Sequence, residues 1–576
     1  MRWYRAVSAL GALATTVAAG DDRANILFIL TDDQDSLMDS LDFMPSVQKH
    51  IAAKGVSFER HYCTVSLCCP SRVNLWTGQL AHNTNVTNVK PPGGGYPKIV
   101  ENGYNDENIH VWMQQSGYNT YYTGKLYNFH NTTNYNKPAA KGFNESEFLL
   151  DPYTYQYYNF TSTRNAEEPI NRQGIYSPDH TAETAYEFLS KALEHKDRPF
   201  FLTASPVAPH CEGSGFGALP PQCAERHKDL FKDYKIPRTP NFNPDDPSGV
   251  SWVAEVPKLN ETEVAYNDEY QRQRLRALQS VDEMVEKLVS MLEEAGQLQN
   301  THIIFSSDNG YHISQHRLHP GKMLSFEEDV RIPFIWRGPG IPEGETRSFP
   351  TSHTDLAPTI LKIAGLPTDG HSFDGLGIDI DDTVDSRTES VGMEFWGYAI
   401  PETPLWRDPN GLPPPETGMY LRNNYKALRI EAEHYSFYYS VWCTNEAELY
   451  DMQTDPSQMH SLLKPGYEKP KAMGRDIKVL RDRLDALMLV LKSCKGETCT
   501  HPWQALHPDG SVKSLKDALS QEYDDFYQEQ PKVSFEQCIG LYIPELEGPQ
   551  EYNQFKQGAL QHQDKRYEEF DWAFWE

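Results

Sequence analysis

The chain is poor in positive charge. Against 81 acidic residues it sets 53 lysines and arginines, a formal net charge of −28 over 576 residues. That balance excludes a broad cationic surface, and with it nucleic acid or another long polyanion as a large-area partner. A small anion is not excluded, because one pocket can be locally positive. Long apolar runs are missing too. The N-terminal stretch from Ala6 to Val17 falls short of the roughly 20 residues that a bilayer span needs, and no later segment is long enough, so no membrane anchor is expected. Internal repeats, heptads and Cys/His zinc spacing are absent, which excludes solenoids, coiled coils and zinc-finger modules. Hydrophobic residues still make up 39% of the chain, enough for a soluble globular protein.

What is present begins with an export signal. Arg2 and Arg5 precede the Ala-rich stretch, and Val17-Ala18-Ala19 and Ala18-Ala19-Gly20 offer small-residue cleavage sites. Residues 1–20 therefore read as a signal peptide, and the chain as secreted or delivered to the secretory-pathway lumen. Export gives meaning to five sequons, at Asn85, Asn131, Asn144, Asn159 and Asn260, as expected N-glycosylation sites on surface loops. Disulfides are expected in that compartment. Nine cysteines leave at least one without an intrachain partner. Cys211 with Cys223, and pairs among Cys443, Cys494, Cys499 and Cys538, are the candidate bridges.

The length suggests two structural units. The first half alternates strand and helix signals, as βαβ units do. Asn25 to Thr31 is a continuous apolar run, the mark of a parallel strand buried on both faces. Glu107 to Ser116 reads as helix and Tyr118 to Thr123 as strand; Phe200 to Ala204, Thr301 to Ser306 and Ile332 to Trp336 also read as strands. Leu275, Leu278, Val281, Val285, Leu288 and Leu292 recur at helical spacing, with Gly296 as a natural stop. Polar residues repeatedly follow a strand: Asp32 and Asp33, Lys125, His210, Asp308 and Asn309. In open parallel sheets ligands bind at that edge. From about Asp385 the texture changes to a Pro-rich loop (401–415), an antiparallel section from Tyr425 to Trp442, a helix from about Pro470 to Leu491, and an acidic, aromatic-rich tail.

Residues 68–78 read Cys-Cys-Pro-Ser-Arg-Val-Asn-Leu-Trp-Thr-Gly. This resembles the sulfatase signature C-x-P-S-R-x-x-x-x-T-G at every fixed position. Only Cys68 has proline at +2 and arginine at +4, so the resemblance marks Cys68, not Cys69, for conversion to formylglycine. The chemistry agrees. Pro70 suits a first helical turn, which puts Cys68 at a helix N-terminus, where backbone N–H groups favour an anion such as a sulfate ester. A one-oxygen nucleophile would form a sulfate ester that water must attack at sulfur again. A hydrated aldehyde carries two hydroxyls: one attacks sulfur, and deprotonating the other expels sulfate and restores the aldehyde.

The resemblance extends over roughly residues 24–462. It implies an alkaline-phosphatase-like α/β fold: a mixed or parallel central sheet flanked by helices, with a smaller C-terminal antiparallel-sheet subdomain. The catalytic part is expected over residues 21–385 and the subdomain with its tail over 386–576. Asp32, Asp33, Asp308 and Asn309 match the family's metal ligands, completed by the formylglycine of Cys68; an all-oxygen set of this size favours one calcium ion. Arg72 is placed to hold the formylglycine and the metal carboxylates, Lys125 to contact the sulfate, His210 to sit near the ester oxygen, and Lys322 to bind a sulfate oxygen and serve the leaving group. His312 resembles a histidine of part of the family. Many members read G-K-x-H where this chain has Gly124-Lys125-Leu126-Tyr127-Asn128, closer to the glucosamine-6-sulfatase branch, with Asn128 as a sulfate-binding candidate. Ser352 to Thr359 resembles a family helix start, and Glu448 to Asp451 the turn closing its C-terminal sheet. The implied activity is hydrolysis of small sulfate monoesters of arylsulfatase type, after maturation by a formylglycine-generating enzyme. The enzymatic alternatives are a sugar 6-sulfatase and a phosphonate or phosphate monoesterase; a binding glycoprotein with a dead site is the alternative outside enzymes.

Overall fold

A computed structural model of the chain describes residues 23–215, 217–383, 387–404, 420–464, 466 and 471–556. The signal segment, the expected boundary between residues 385 and 386, and most of the Pro-rich loop lie outside the described residues. Every residue of the Asn25–Thr31 strand is buried. Its side chains alternate between two cores. Leu27 and Ile29 pack with the helices Ser177–Glu194 and Glu261–Glu294; Ile26, Phe28 and Leu30 pack with the helices Cys68–Thr77, Ile109–Gln115 and Leu356–Ile363. A strand with water on neither face has no polar positions to spare, which is why its sequence shows no alternation. Burying each such leucine or isoleucine contributes roughly 1.5–3 kcal/mol.

Among the described residues ten strands form one mixed sheet. Its centre is parallel: Thr301–Ser307, Asn25–Thr31, Phe200–Ser205, Asn119–Gly124 and Glu145–Leu149 lie side by side in that order. Phe334–Arg337 pairs antiparallel with Thr301–Ser307, and Thr161–Arg164 antiparallel with Glu145–Leu149. Register aligns the carboxyl ends. Thr31 lies opposite Ser307, and Gly124 opposite Ser205. Gly124 has φ 103°, and a Cβ there would fall 1.9 Å from the Ser205 carbonyl oxygen, so only glycine lets the chain turn into Lys125 at that point. Asp32, Asp33, Lys125, Asp308 and Asn309 thus leave the sheet along one edge.

The C-terminal part carries a separate four-stranded antiparallel sheet: Ser390–Phe395, Tyr425–Ala432, Tyr435–Trp442 and Ala447–Asp451. Glu448 to Asp451 falls on its edge strand, and the Ile477–Leu491 helix packs on it through Leu480, Leu484 and Leu487. That helix starts at Ile477, later than the expected start near Pro470. Lys471–Ala472 and Arg475–Asp476 form a small hairpin across Met473 and Gly474, both at positive φ, and Asp476 then caps the helix by accepting from the Lys478 N–H. Disulfides join Cys443 to Cys538 and Cys494 to Cys499. The expected Cys211–Cys223 bridge is not formed. Glu212 and Leu219 pair their backbones in a hairpin between the two thiols, and Cys211 turns its sulfur to the Gly213 carbonyl and His210 Nδ1, each at 3.5 Å. Of the sequon asparagines, Asn85, Asn144, Asn159 and Asn260 are exposed, and Asn131 is half-buried.

Candidate functional site

Leu67 is extended and the Cys68–Thr77 helix begins at once, with Pro70 in its first turn and Gly78 closing it at φ 70°. Ser71 anchors the helix from below. Its hydroxyl donates to the Asp308 carbonyl at 2.5 Å and meets His353 Nδ1 at 2.8 Å. His353 belongs to the Ser352-started turn that precedes the Leu356–Ile363 helix, where Ser352 and Asp355 form a capping box. The Cys68 side chain therefore sits at a fixed helix N-terminus, 2% exposed.

Carboxylates converge on that terminus. Cys68 Sγ lies 3.6 Å from Asp32 Oδ1 and 3.8 Å from Asp33 Oδ1. Asp33 takes φ 66°, uncommon for a residue with a Cβ; its N–H donates to Asp308 Oδ1 at 3.0 Å. Asn309 Nδ2 donates to Asp33 Oδ1 at 2.8 Å. Cations surround the group. Arg72 donates to Asp308 Oδ2 at 2.8 Å, to the Lys125 carbonyl at 2.6 Å and to Ser205 Oγ at 2.9 Å, and lies 3.6 Å from Asp32 Oδ2. Lys125 Nζ donates to Asp32 Oδ2 at 2.6 Å, Lys322 Nζ donates to Asp33 Oδ2, and His210 Nε2 is 3.6 Å from Asp33 Oδ2.

Burial governs the protonation of this cluster. It pushes Asp32 up to about 7, helped by Asp308 and opposed by Lys125 and Arg72. Burial pushes Asp33 and Asp308 the same way, but the Lys322 ammonium outweighs it at Asp33, and Arg72 and Lys125 at Asp308, so both end below the usual carboxylate range. The trio behaves as one crowded set: two carboxylates keep their charge and the third is raised by them and by dehydration. Burial and the Lys322 ammonium bring His210 down to about 4, which leaves its imidazole neutral. Burial raises the Cys68 thiol well above its ordinary value.

A divalent cation fits this donor set. Ligand atoms of Asp32, Asp33, Cys68 and His210 all lie within 4.8 Å of one another. Asn309 Oδ1 is buried with no hydrogen-bond donor, an amide oxygen left for a metal to take. A cation would also relieve the crowding that raises Asp32.

The structure thus brings together Cys68, Arg72, Lys125, His210 and Lys322 with Asp32, Asp33, Asp308 and Asn309. Asn128 and His312 stand one layer back. Asn128 Nδ2 donates to Tyr155 Oη at 2.7 Å. His312 Nδ1 meets Asp329 Oδ1 at 2.7 Å, and its backbone pairs with Gly321, next to Lys322. Sequence reasoning missed Tyr155, whose ring stacks on His210 with centroids 3.9 Å apart and lies 4.8 Å beneath Lys125 Nζ. It also missed Arg274, which donates to the Asp33 carbonyl and to Asp35 Oδ1, and Glu402, 3.6 Å from Lys322. Tyr155 is one of four tyrosines between residues 153 and 158 with no motif to single it out, though a polar position on an otherwise periodic helix could have flagged Arg274.

The fold is a mixed α/β sheet of the alkaline-phosphatase-like kind, and the site is a carboxylate cluster that fits a cation, set against a helix N-terminus. Residues 24–366 match the sulfatase family model, and the chain belongs to the sulfatase family. It is 36% identical to an arylsulfatase of Volvox carteri, over 93% of this chain and 84% of that one. It is 29% identical to the N-acetylglucosamine-6-sulfatase of Homo sapiens, over 84% and 87%. Among solved structures it resembles one described as a complex with its substrate D-glucosamine-2-N,6-O-disulfate, with a TM-score of 0.57 at 21% identity, over 77% of this chain and 94% of that one. The chain is a sulfuric ester hydrolase.

Proposed function

We propose that this is a secreted, calcium-dependent enzyme acting on small sulfate monoesters, with Cys68 matured to formylglycine by a formylglycine-generating enzyme. One observation carries the reading: Cys68 heads a helix directly over the Asp32–Asp33 carboxylates, inside a ring formed by Arg72, Lys125, Lys322 and His210. A raised, buried thiol is a poor thiolate nucleophile, whereas a hydrated aldehyde needs no thiolate. Asp32, Asp33, Asp308 and Asn309 would hold the calcium ion together with the matured Cys68; when bound, that ion supplies Lewis-acid stabilisation of the sulfate oxygens. Lys125 and Lys322, released from their carboxylates, would bind the sulfate, Lys322 would also give the leaving oxygen its proton, and Arg72 would keep Asp308 and the loop at Lys125 in place. The neutral His210, stacked on Tyr155, would sit near the ester oxygen. The likeness to the N-acetylglucosamine-6-sulfatase of Homo sapiens supports an amino-sugar 6-sulfatase as the second reading.

The test is a pair of variants. Cys68→Ala should be secreted and folded but without turnover of an aryl sulfate, while Cys69→Ala should retain activity. Full turnover in Cys68→Ala would end the mechanism.

A further inference from the structure

We propose that Glu402 is a positioning residue for Lys322, holding its ammonium toward the ester oxygen once a cation has taken Asp33. The inference rests on the reading of Lys322 as the group that serves the leaving oxygen. Lys322 Nζ touches two carboxylates, Asp33 and, at 3.6 Å, Glu402 Oε1. Asp33 belongs to the cation-holding group, so a bound divalent ion competes with the ammonium for that partner. Glu402 is then the anion that remains beside it.

The surroundings of Glu402 suit that task. Its side chain is buried, and Oε2 accepts from Tyr311 Oη at 2.9 Å. The Tyr311 hydroxyl in turn meets that of Tyr270 at 3.1 Å. The Glu402 N–H donates to the Pro320 carbonyl at 2.8 Å, which ties the acid to the loop that carries Lys322. At Gly321 a Cβ would meet the Ile400 carbonyl oxygen at 3.4 Å, so the two segments run in close contact. His210 and Cys211 also present ligand atoms within 4.8 Å of the Glu402 carboxylate. A buried carboxylate held by Tyr311, on a backbone tied to the Lys322 loop, is a fixed counter-charge, and a lysine on a flexible four-carbon stem needs one to keep a single direction. Glu402 lies beyond residue 366, where the family match ends, so the site is completed by a segment outside it.

The experiment compares two leaving groups in the calcium-loaded, full-length enzyme. A nitrophenol departs as its anion, whereas an alkyl or sugar alcohol needs a proton as the S–O bond breaks. In Glu402→Gln, kcat for an alkyl or sugar sulfate should fall about 10–100-fold and kcat for nitrophenyl sulfate less than about 3-fold, a part of what a positioned acid contributes. Glu402→Asp, which keeps the charge, should recover part of the loss. Lys322→Ala should show the same leaving-group bias, and the double variant should lose no more than Lys322→Ala alone. If Glu402→Gln is not secreted, Tyr311→Phe, which removes only the hydroxyl holding Glu402, should show the same bias at smaller size. Equal losses on both substrates, no loss, or a change confined to KM would overturn the proposal. A Lys322→Ala variant without leaving-group bias would instead sink the reading of Lys322 on which it rests.

Discussion

Arg72→Met tests whether the carboxylate cluster is held by charge. Methionine keeps much of the arginine stem and removes the guanidinium. Asp308 Oδ2 then loses its 2.8 Å partner, and the Lys125 carbonyl and Ser205 Oγ lose their donors, all in a fully buried site. Breaking a buried ion pair by removing one member costs about 3–5 kcal/mol. Each stranded acceptor adds on the order of 1 kcal/mol, less where Tyr122, which also donates to the Lys125 carbonyl, compensates. The calcium-free variant should therefore be about 4–6 kcal/mol less stable than the calcium-free parent. Calcium at 100 times its dissociation constant should return about 2.7 kcal/mol. Urea unfolding with EGTA and with calcium, for both proteins, measures both quantities. A loss under about 1 kcal/mol, the range of ordinary surface substitutions, would refute the claim that Arg72 neutralises the cluster.

Chelation should abolish turnover of the parent enzyme, and calcium should restore it better than zinc, because the donor set is mainly oxygen; equal or better recovery with zinc would reassign the ion. His110 is buried among Trp76, Tyr122 and Phe201, and burial lowers its pKa from 6.5 to about 3. Its neutral form contributes stability fully above the unfolded value of 6.5, and that contribution is lost as pH falls from there toward 3. The parent should lose about 2 kcal/mol between pH 7 and 5 through this group, and His110→Phe should lack that slope in paired urea titrations; an unchanged slope contradicts the assignment. On a panel at low ionic strength, an aryl sulfate should be turned over with higher kcat/KM than a heparin-type oligosaccharide or an aryl phosphate, because a long polyanion must lie across the surface of a protein of charge −28. If glucosamine 6-sulfate is turned over fastest, the enzyme class stands and the amino-sugar reading replaces the aryl one.

The buried strands were legible because a strand covered on both faces leaves an unbroken apolar run, and the polar residues just beyond Thr31, Gly124 and Ser307 announced the edge that binds. Elements with mixed surroundings were harder. The Glu261–Glu294 helix shows its period only from Leu275 onward, because its first half turns Gln271 and Arg274 toward Asp35 and Asp33 rather than into an apolar core. Its start at Asn260 is set by a capping box with Glu263, a local signal that the apolar pattern does not reach. The Ile332 to Trp336 run is a strand from Phe334, and its antiparallel direction depends on how a loop returns it to Thr301–Ser307. Tyr155 and Glu402 reach the site from segments with no motif, through stacking and charge contacts that exist only after folding. The absent Cys211–Cys223 bridge shows the same limit: two thiols close in sequence can face different surroundings.

The proposed mechanism stands or falls on conversion of Cys68 at the heart of the site. Its most direct test is intact-peptide mass spectrometry of the segment spanning residues 61–72 from the active, secreted enzyme. The peptide should be lighter than its thiol form, with the change at Cys68 and none at Cys69, and should react with hydrazide probes. An active enzyme whose Cys68 peptide carries the unmodified thiol would contradict the mechanism.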